Sequence, residues 1–160
     1  MLSKITLFLL LFATCAYAED QTILNVGVGN FNAAQGNTPD TKMLSIGMQE
    51  DVWDALKMRG TVGGWLDSSG NGQTGSGFVA VQLGWEVVSG GMVASIFSGP
   101  GIISSPDTVL GGPFQFVSDL HLGIKDRNSN YIGAFYRHIS SAGIETPNIG
   151  REAFGVEIRF

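Results

Sequence analysis

Cysteine is nearly absent from this chain: Cys15 is the one example in 160 residues. It lies in a leader-like stretch, so the remainder has no disulfide framework and no thiolate chemistry. Histidine is scarce too, at His121 and His138. Two histidines without an H-E-x-x-H spacing do not build a closed zinc site. Acidic loop residues such as Asp67 and Asp107 lack the order of an EF-hand loop. No metal and no cofactor is therefore expected. Basic residues number 9 against 14 acidic ones, for a formal net charge of −5. Nucleic-acid binders carry a basic stripe, so nucleic acid is excluded as a partner. Past the first twenty residues, no apolar run approaches the ~20 residues of a membrane helix.

What is present begins with the leader. Lys4 precedes an apolar run from Ile5 to Ala13, and Ala16 and Ala18 put small residues at both cleavage-determining positions. This pattern predicts a secretory signal peptide over 1–18 and a single domain over 19–160. A second reading takes "FATC" as a lipoprotein site with Cys15 acylated, although Thr14 suits that position poorly. Removing Lys4 makes the chain one unit more acidic. The 23 glycines follow no collagen period.

From Thr22 onward, stretches of period two recur between turn-forming residues. Leu24, Val26 and Val28 alternate with Asn25, Gly27 and Gly29; Val79, Val81, Leu83, Trp85 and Val87 alternate with Ala80, Gln82, Gly84 and Glu86. Eight such stretches are countable, one of them a short piece at 92–98. A soluble sandwich would also alternate, but three features favour a barrel. The minority face is small and polar, which suits a narrow lumen. Connections alternate between long (near 32–41, 67–77, 99–112 and 141–150) and short (89–91 and 126–129), with 50–56 intermediate. The chain ends on Phe160, in phase with Phe154, Val156 and Ile158, like an address for outer-membrane assembly. The expected fold is all-β, an eight-stranded antiparallel transmembrane barrel of the bacterial outer membrane, closed so that no edge is exposed. "EDVWDAL" is expected to form a short helical turn. "DSSGNGQTGSG" reads as a flexible loop, since no lysine follows to make it a phosphate cradle. Trp85 is expected at a membrane interface.

Parity in the last two stretches gathers chemistry on the outer face. Stepping back from Phe160 by twos reaches Glu152, while Arg151, Ala153, Gly155, Glu157 and Arg159 face the lumen. In the preceding stretch Ile132, Ala134 and Tyr136 share parity with His138 and Ser140, although Phe135 and Ile139 would then point inward. A hairpin register placing 138 opposite 152 brings Cβ atoms to roughly 5 Å. Ser140 lies about 6.6 Å further along the strand. That is the nucleophile, base and orienting carboxylate order of a serine hydrolase. Glu152 stands about 27 Å of strand from Phe160, or roughly 20 Å along the membrane normal after a ~40° tilt. The group thus sits near the outer interface of an apolar band ~25 Å tall, where a carboxylate costs little. A second pair, Asp119 and His121, has lumenal parity and is expected to join arginines in a structural network. An H-x-S pattern also arises by chance, so a barrel whose polar groups merely mark the headgroup region stays open.

"HISSAGIETPNIGRE" closely resembles the motif of PagL-type outer-membrane lipid A 3-O-deacylases: H-x-S-N-A-G, a short spacer, P-N, then G-x-E. The matching positions are His138, Ser140, Ala142, Gly143, Pro147, Asn148, Gly150 and Glu152. The resemblance is concentrated in about 25 residues of the last two stretches. It implies a hydrolase that removes an ester-linked 3-hydroxyacyl chain from lipid A, with Ser140 as nucleophile, His138 as base and acid, and Glu152 as orienting carboxylate. The family asparagine after the serine is Ser141 here, so an oxyanion hole would draw on backbone N–H groups around Ser141 and Gly143. The implied partners are lipid A or lipopolysaccharide of the outer leaflet and other outer-membrane lipids. The alternative is a non-enzymatic barrel serving adhesion or envelope integrity. Homodimer formation is left open by the sequence.

Overall fold

The computed structural model describes residues 21–30, 40–67, 74–105, 110–144, 146, 148 and 150–160. The expected leader, Cys15, Pro147, Asp107 and much of the longer loops lie outside the described residues. Eight strands follow one another: β1 (Gln21–Asn30), β2 (Asp40–Trp53), β3 (Leu56–Asp67), β4 (Thr74–Ser89), β5 (Met92–Ile103), β6 (Phe114–Lys125), β7 (Tyr131–Ser140) and β8 (Arg151–Arg159). Each pairs antiparallel with the next, and β8 pairs back onto β1 to close the barrel. Closure is completed where Thr22 and Phe160 exchange two backbone hydrogen bonds, of 2.9 and 3.1 Å. The β2–β3, β4–β5 and β6–β7 turns are tight and share one end with both described chain ends. The rim opposite carries the longer connections.

Two expectations are corrected. "EDVWDAL" forms no helical turn: β2 runs on to Trp53, with a register irregularity between Asp51 and Trp53. Asp54, at φ 48°, turns the chain into β3. Asp tolerates that left-handed conformation, and continuing the strand leaves Val52 and Trp53 outward, Trp53 80% exposed. The stretch at 92–98 also does not stop there. Pairing with β4 lapses at Gly99–Pro100 and resumes in the same register at Gly101–Ile103. Proline offers no N–H to the ladder, so the pairing lapses there while the in-and-out alternation and the strand continue.

Polarity is inverted relative to a soluble domain. Val28, Leu44, Trp85, Leu122, Ile132 and Phe154 all face outward and are more than half exposed. An apolar belt of this kind is the surface that lipid requires. The lumen is filled. Towards the chain-terminus end, Arg59 donates to Glu157 (2.9 Å) and Gln49 (2.7 Å), and Arg159 donates to Glu157 (2.5 Å) and pairs with Glu86. Arg59 and Arg159 also stack over Phe97 and Tyr131, each 4.1 Å from the ring centre. Arg137 forks onto Asp119 through two bonds of 2.7 Å. Buried guanidinium groups are tolerable because each is bound by a carboxylate and covers an aromatic face. Towards the opposite rim, Met43, Trp65, Phe78, Val117, Phe135 and Ile139 form an apolar plug. Phe135 points inward because Gly155 faces it across the β7–β8 ladder and Gly27 pairs with Gly155. A Cβ on Gly27 would lie 2.9 Å from the Phe135 ring.

His121 belongs to this network. Its Nε2 lies 2.8 Å from Arg59 Nη1. Guanidinium only donates, so Nε2 must accept, which places the imidazole proton on Nδ1, 3.2 Å from Glu157 Oε2. The Asp119–His121 pair is therefore interior and engaged, as its parity predicts.

Removing Glu157 leaves the buried Arg59 without a bonded carboxylate and Arg159 with Glu86 alone. Glu157→Ala is expected to cost about 3–5 kcal/mol, read as a lower urea midpoint for unfolding from lipid vesicles. An unchanged midpoint would show that the lumenal network is not what stabilises the barrel. A milder effect is expected at the β6–β7 turn. The Asn130 side-chain amide, with the N–H groups of Asn128 and Asn130, holds the exposed Asp126 carboxyl below its ordinary value. The stabilisation is present above the unfolded-state pKa and is lost as pH falls through the lowered one. Asp126→Ala should accordingly narrow the stability difference between neutral and strongly acidic pH.

Candidate active site

The outer face near the rim brings the last two strands' polar groups into one row. In the β7–β8 ladder His138 stands opposite Glu152. His138 Nδ1 lies 3.8 Å from Glu152 Oε1, and the two side chains are 36% and 40% exposed. That separation exceeds a hydrogen bond but suits an ion pair, whose attraction appears once the imidazole takes a proton. Glu152 is held meanwhile by Tyr136, whose hydroxyl donates to Oε1 at 2.9 Å. The Tyr136 ring rests against Phe154, its cross-strand partner, with centroids 4.9 Å apart. The carboxylate is thus pre-aimed by a phenol on the same strand as the histidine.

Ser140 is the last residue of β7, on the same outer face and two residues beyond His138. Among the described residues no hydrogen bond joins its hydroxyl to His138. Catalytic contacts are commonly long before substrate arrives. With Nδ1 towards Glu152, Nε2 is the ring nitrogen left for Ser140.

The chain reverses sharply after Ser140. Ala142 (φ 52°) and Gly143 (φ 82°) are both left-handed, and the Ile144 N–H donates to the Ser141 carbonyl at 3.0 Å. Two central residues with positive φ and an i to i+3 bond make a type I′ turn. Alanine in that conformation is strained by the order of 1 kcal/mol. Asn148 Oδ1 accepts the Ser141 N–H at 2.8 Å and ties the returning loop to the end of β7. Ser141 is buried, whereas Ala142 and Gly143 are exposed. The N–H groups of Ala142 and Gly143 have no partner among the described residues.

Gly150 completes the setting. Its φ is +84°, and a Cβ there would lie 2.7 Å from His138 Cε1 and 3.3 Å from Nε2. The glycine packs directly against the Cε1–Nε2 edge of the ring. Asn148 and Gly150 are visible in the sequence only as members of a motif. Tyr136 carries no motif signal; its parity with His138 and diagonal position to Glu152 are the features that point to it.

A family model described as Lipid A 3-O-deacylase (PagL) matches residues 42–160, which is β2 to β8 with their connections. This chain belongs to that family. The family is one of hydrolases, and membership makes the chain a lipid A 3-O-deacylase built as an outer-membrane β-barrel. Among solved structures, the crystal structure of the outer membrane enzyme PagL is similar, with a TM-score of 0.63 at 19% identity over 88% of this chain and 98% of that one. At that identity the likeness speaks for the fold, including β1, which the family model leaves outside its match. No curated protein sequence matches.

The contact between Gly150 and the imidazole is open to direct trial. Gly150→Ala introduces a methyl group at a strained φ and pushes the ring off its position. Misplacement of a catalytic group by about 1 Å costs on the order of 100-fold. Deacylation by the variant should fall by about that factor while it still migrates as a folded barrel in heat-modifiable electrophoresis. A wild-type rate would mean that the ring does not depend on this contact.

Proposed function

We propose that this deacylase cleaves the ester of a 3-hydroxyacyl chain on lipid A through Ser140, His138 and Glu152. The observation that carries the reading is the β7–β8 register, which sets His138 against Glu152 with Ser140 one outward step beyond. All three open onto the lipid-facing surface at the rim, where an ester of an outer-leaflet glycolipid is within reach. The signal peptide over 1–18 would deliver the chain to the envelope, and both chain ends would then lie on the periplasmic side.

In the proposed cycle Ser140 Oγ attacks the ester carbonyl as His138 Nε2 takes its proton. The imidazolium is then drawn to Glu152, closing the 3.8 Å gap. The oxyanion is held by the N–H of Gly143, which the turn leaves open. The Ser141 N–H is committed to Asn148, so its contribution to the oxyanion hole requires that bond to yield. Such a donor is worth about 3 kcal/mol in a hydrolase. Collapse of the adduct releases the sugar hydroxyl with the proton from His138. Water, activated by the same imidazole, then frees the fatty acid.

Expression of the wild type and of Ser140→Ala in a Gram-negative host tests the reading. Lipid A from cells bearing the wild type should lose the mass of one hydroxyacyl unit, and cells bearing the variant should keep it. Equal loss with both proteins would remove Ser140 from the mechanism. Intact lipid A from a folded wild type would count against deacylation altogether.

A further inference from the structure

The row containing His138 and Glu152 extends two strands further around the barrel. Ser118 on β6 stands opposite His138, and Ser98 on β5 stands opposite Ser118. Both serines belong to the outward face of their strands. Their hydroxyl oxygens are 2.8 Å apart, in a hydrogen bond. The pair is framed by Phe116 and Pro100 on the rim side and by Leu120 and Ile96 on the membrane side. Two hydroxyls in this setting satisfy each other only in part. Each oxygen has one donor and two acceptor sites, so after the mutual bond one O–H and several lone pairs remain for something else. Hydrocarbon provides no partner for them.

Position says what would. Ser140 pairs with Phe116, so Ser118 is its diagonal neighbour, one step nearer the membrane centre. Diagonal residues on one face are about 7–8 Å apart. An ester carbonyl in attack position lies about 3–3.5 Å from the nucleophile. The remaining span holds one or two carbon–carbon bonds and a hydrogen bond. A chain descending from Ser140 towards the bilayer interior therefore passes the serine pair within its first few carbons.

We propose that Ser98 and Ser118 form a binding subsite for the hydroxyl on the 3-carbon of the acyl chain. The subsite selects hydroxylated over plain acyl chains. This inference rests on the Ser140 reading above, because it measures distance from that nucleophile. In the complex the free O–H of the pair donates to the substrate hydroxyl, or accepts from it, and the alkyl tail continues over Leu120 and Ile96.

The test uses the full-length barrel, refolded in detergent micelles, and two acyl-glucosamine esters that differ only in the 3-hydroxyl. Wild type should favour the hydroxylated ester in kcat/KM by about fivefold to tenfold, the worth of one ordinary hydrogen bond. In the Ser98→Ala, Ser118→Ala double variant this ratio should fall towards one, while Ser118→Thr, which keeps the hydroxyl, should retain it. A purely structural role would change both rates together and leave the ratio alone. If the double variant does not fold, Ser118→Ala alone serves for the same comparison. Equal rates for the two esters with wild type, or a wild-type ratio in the alanine variants, overturn the subsite while leaving the triad standing. No hydrolysis of either ester by folded wild type sinks the triad and the subsite with it.

Discussion

In hydrocarbon every backbone N–H and C=O must find a partner within the protein, and eight strands achieve this by closing on themselves. The bonds between β1 and β8 are what remove the last unpaired edge. Once the ring is closed, each residue has one of two fates, lipid or lumen, and a one-residue slip would exchange them along a whole strand. Such a slip would carry Arg59, Arg137 and Arg159 into the bilayer and pull Leu122 and Ile132 into a lumen with no room for them. The buried guanidinium network and the apolar belt thus enforce the same register from opposite sides. That register is what sets His138 beside Glu152.

The proposed catalytic centre, on the convex exterior of a sheet, has a geometry unlike that of a cleft enzyme. The sheet itself supplies rigidity, because His138, Tyr136 and Glu152 stand on paired strands. At such a centre the substrate would not need to leave its own solvent, since the reacting bond would meet the protein at the membrane surface. The polar groups are tolerable there because they lie near the rim, where water and headgroups reach them. Tyr136 shows how the two media are joined. Its ring lies on Phe154 among apolar neighbours, while its hydroxyl holds the carboxylate.

Much of this was legible in the residue order. Period two is dictated by strand geometry, so the inward fate of Asp119, His121 and Arg151 and the outward fate of Glu152 and Ser140 follow from parity alone. The pairing of 138 with 152 followed from the hairpin. Where local patterning was weak, the reading faltered. Pro100 breaks a ladder without ending β5, and Asp54 turns the chain without a helix. Neither could be judged without knowing the neighbouring strand.

The sequence by itself determined the strand count, the face of each residue in the cleanly alternating stretches and the chemical types available at the rim, because alternation is a property of the chain. Only the tertiary structure decided that Tyr136 holds Glu152, that Gly150 lies against the imidazole, that Asn148 engages the Ser141 N–H, and that Ser98, Ser118 and His138 share one row. Those contacts span strands or bridge loops, and their distances depend on closure, register and backbone conformation together. No single stretch of the chain contains that information.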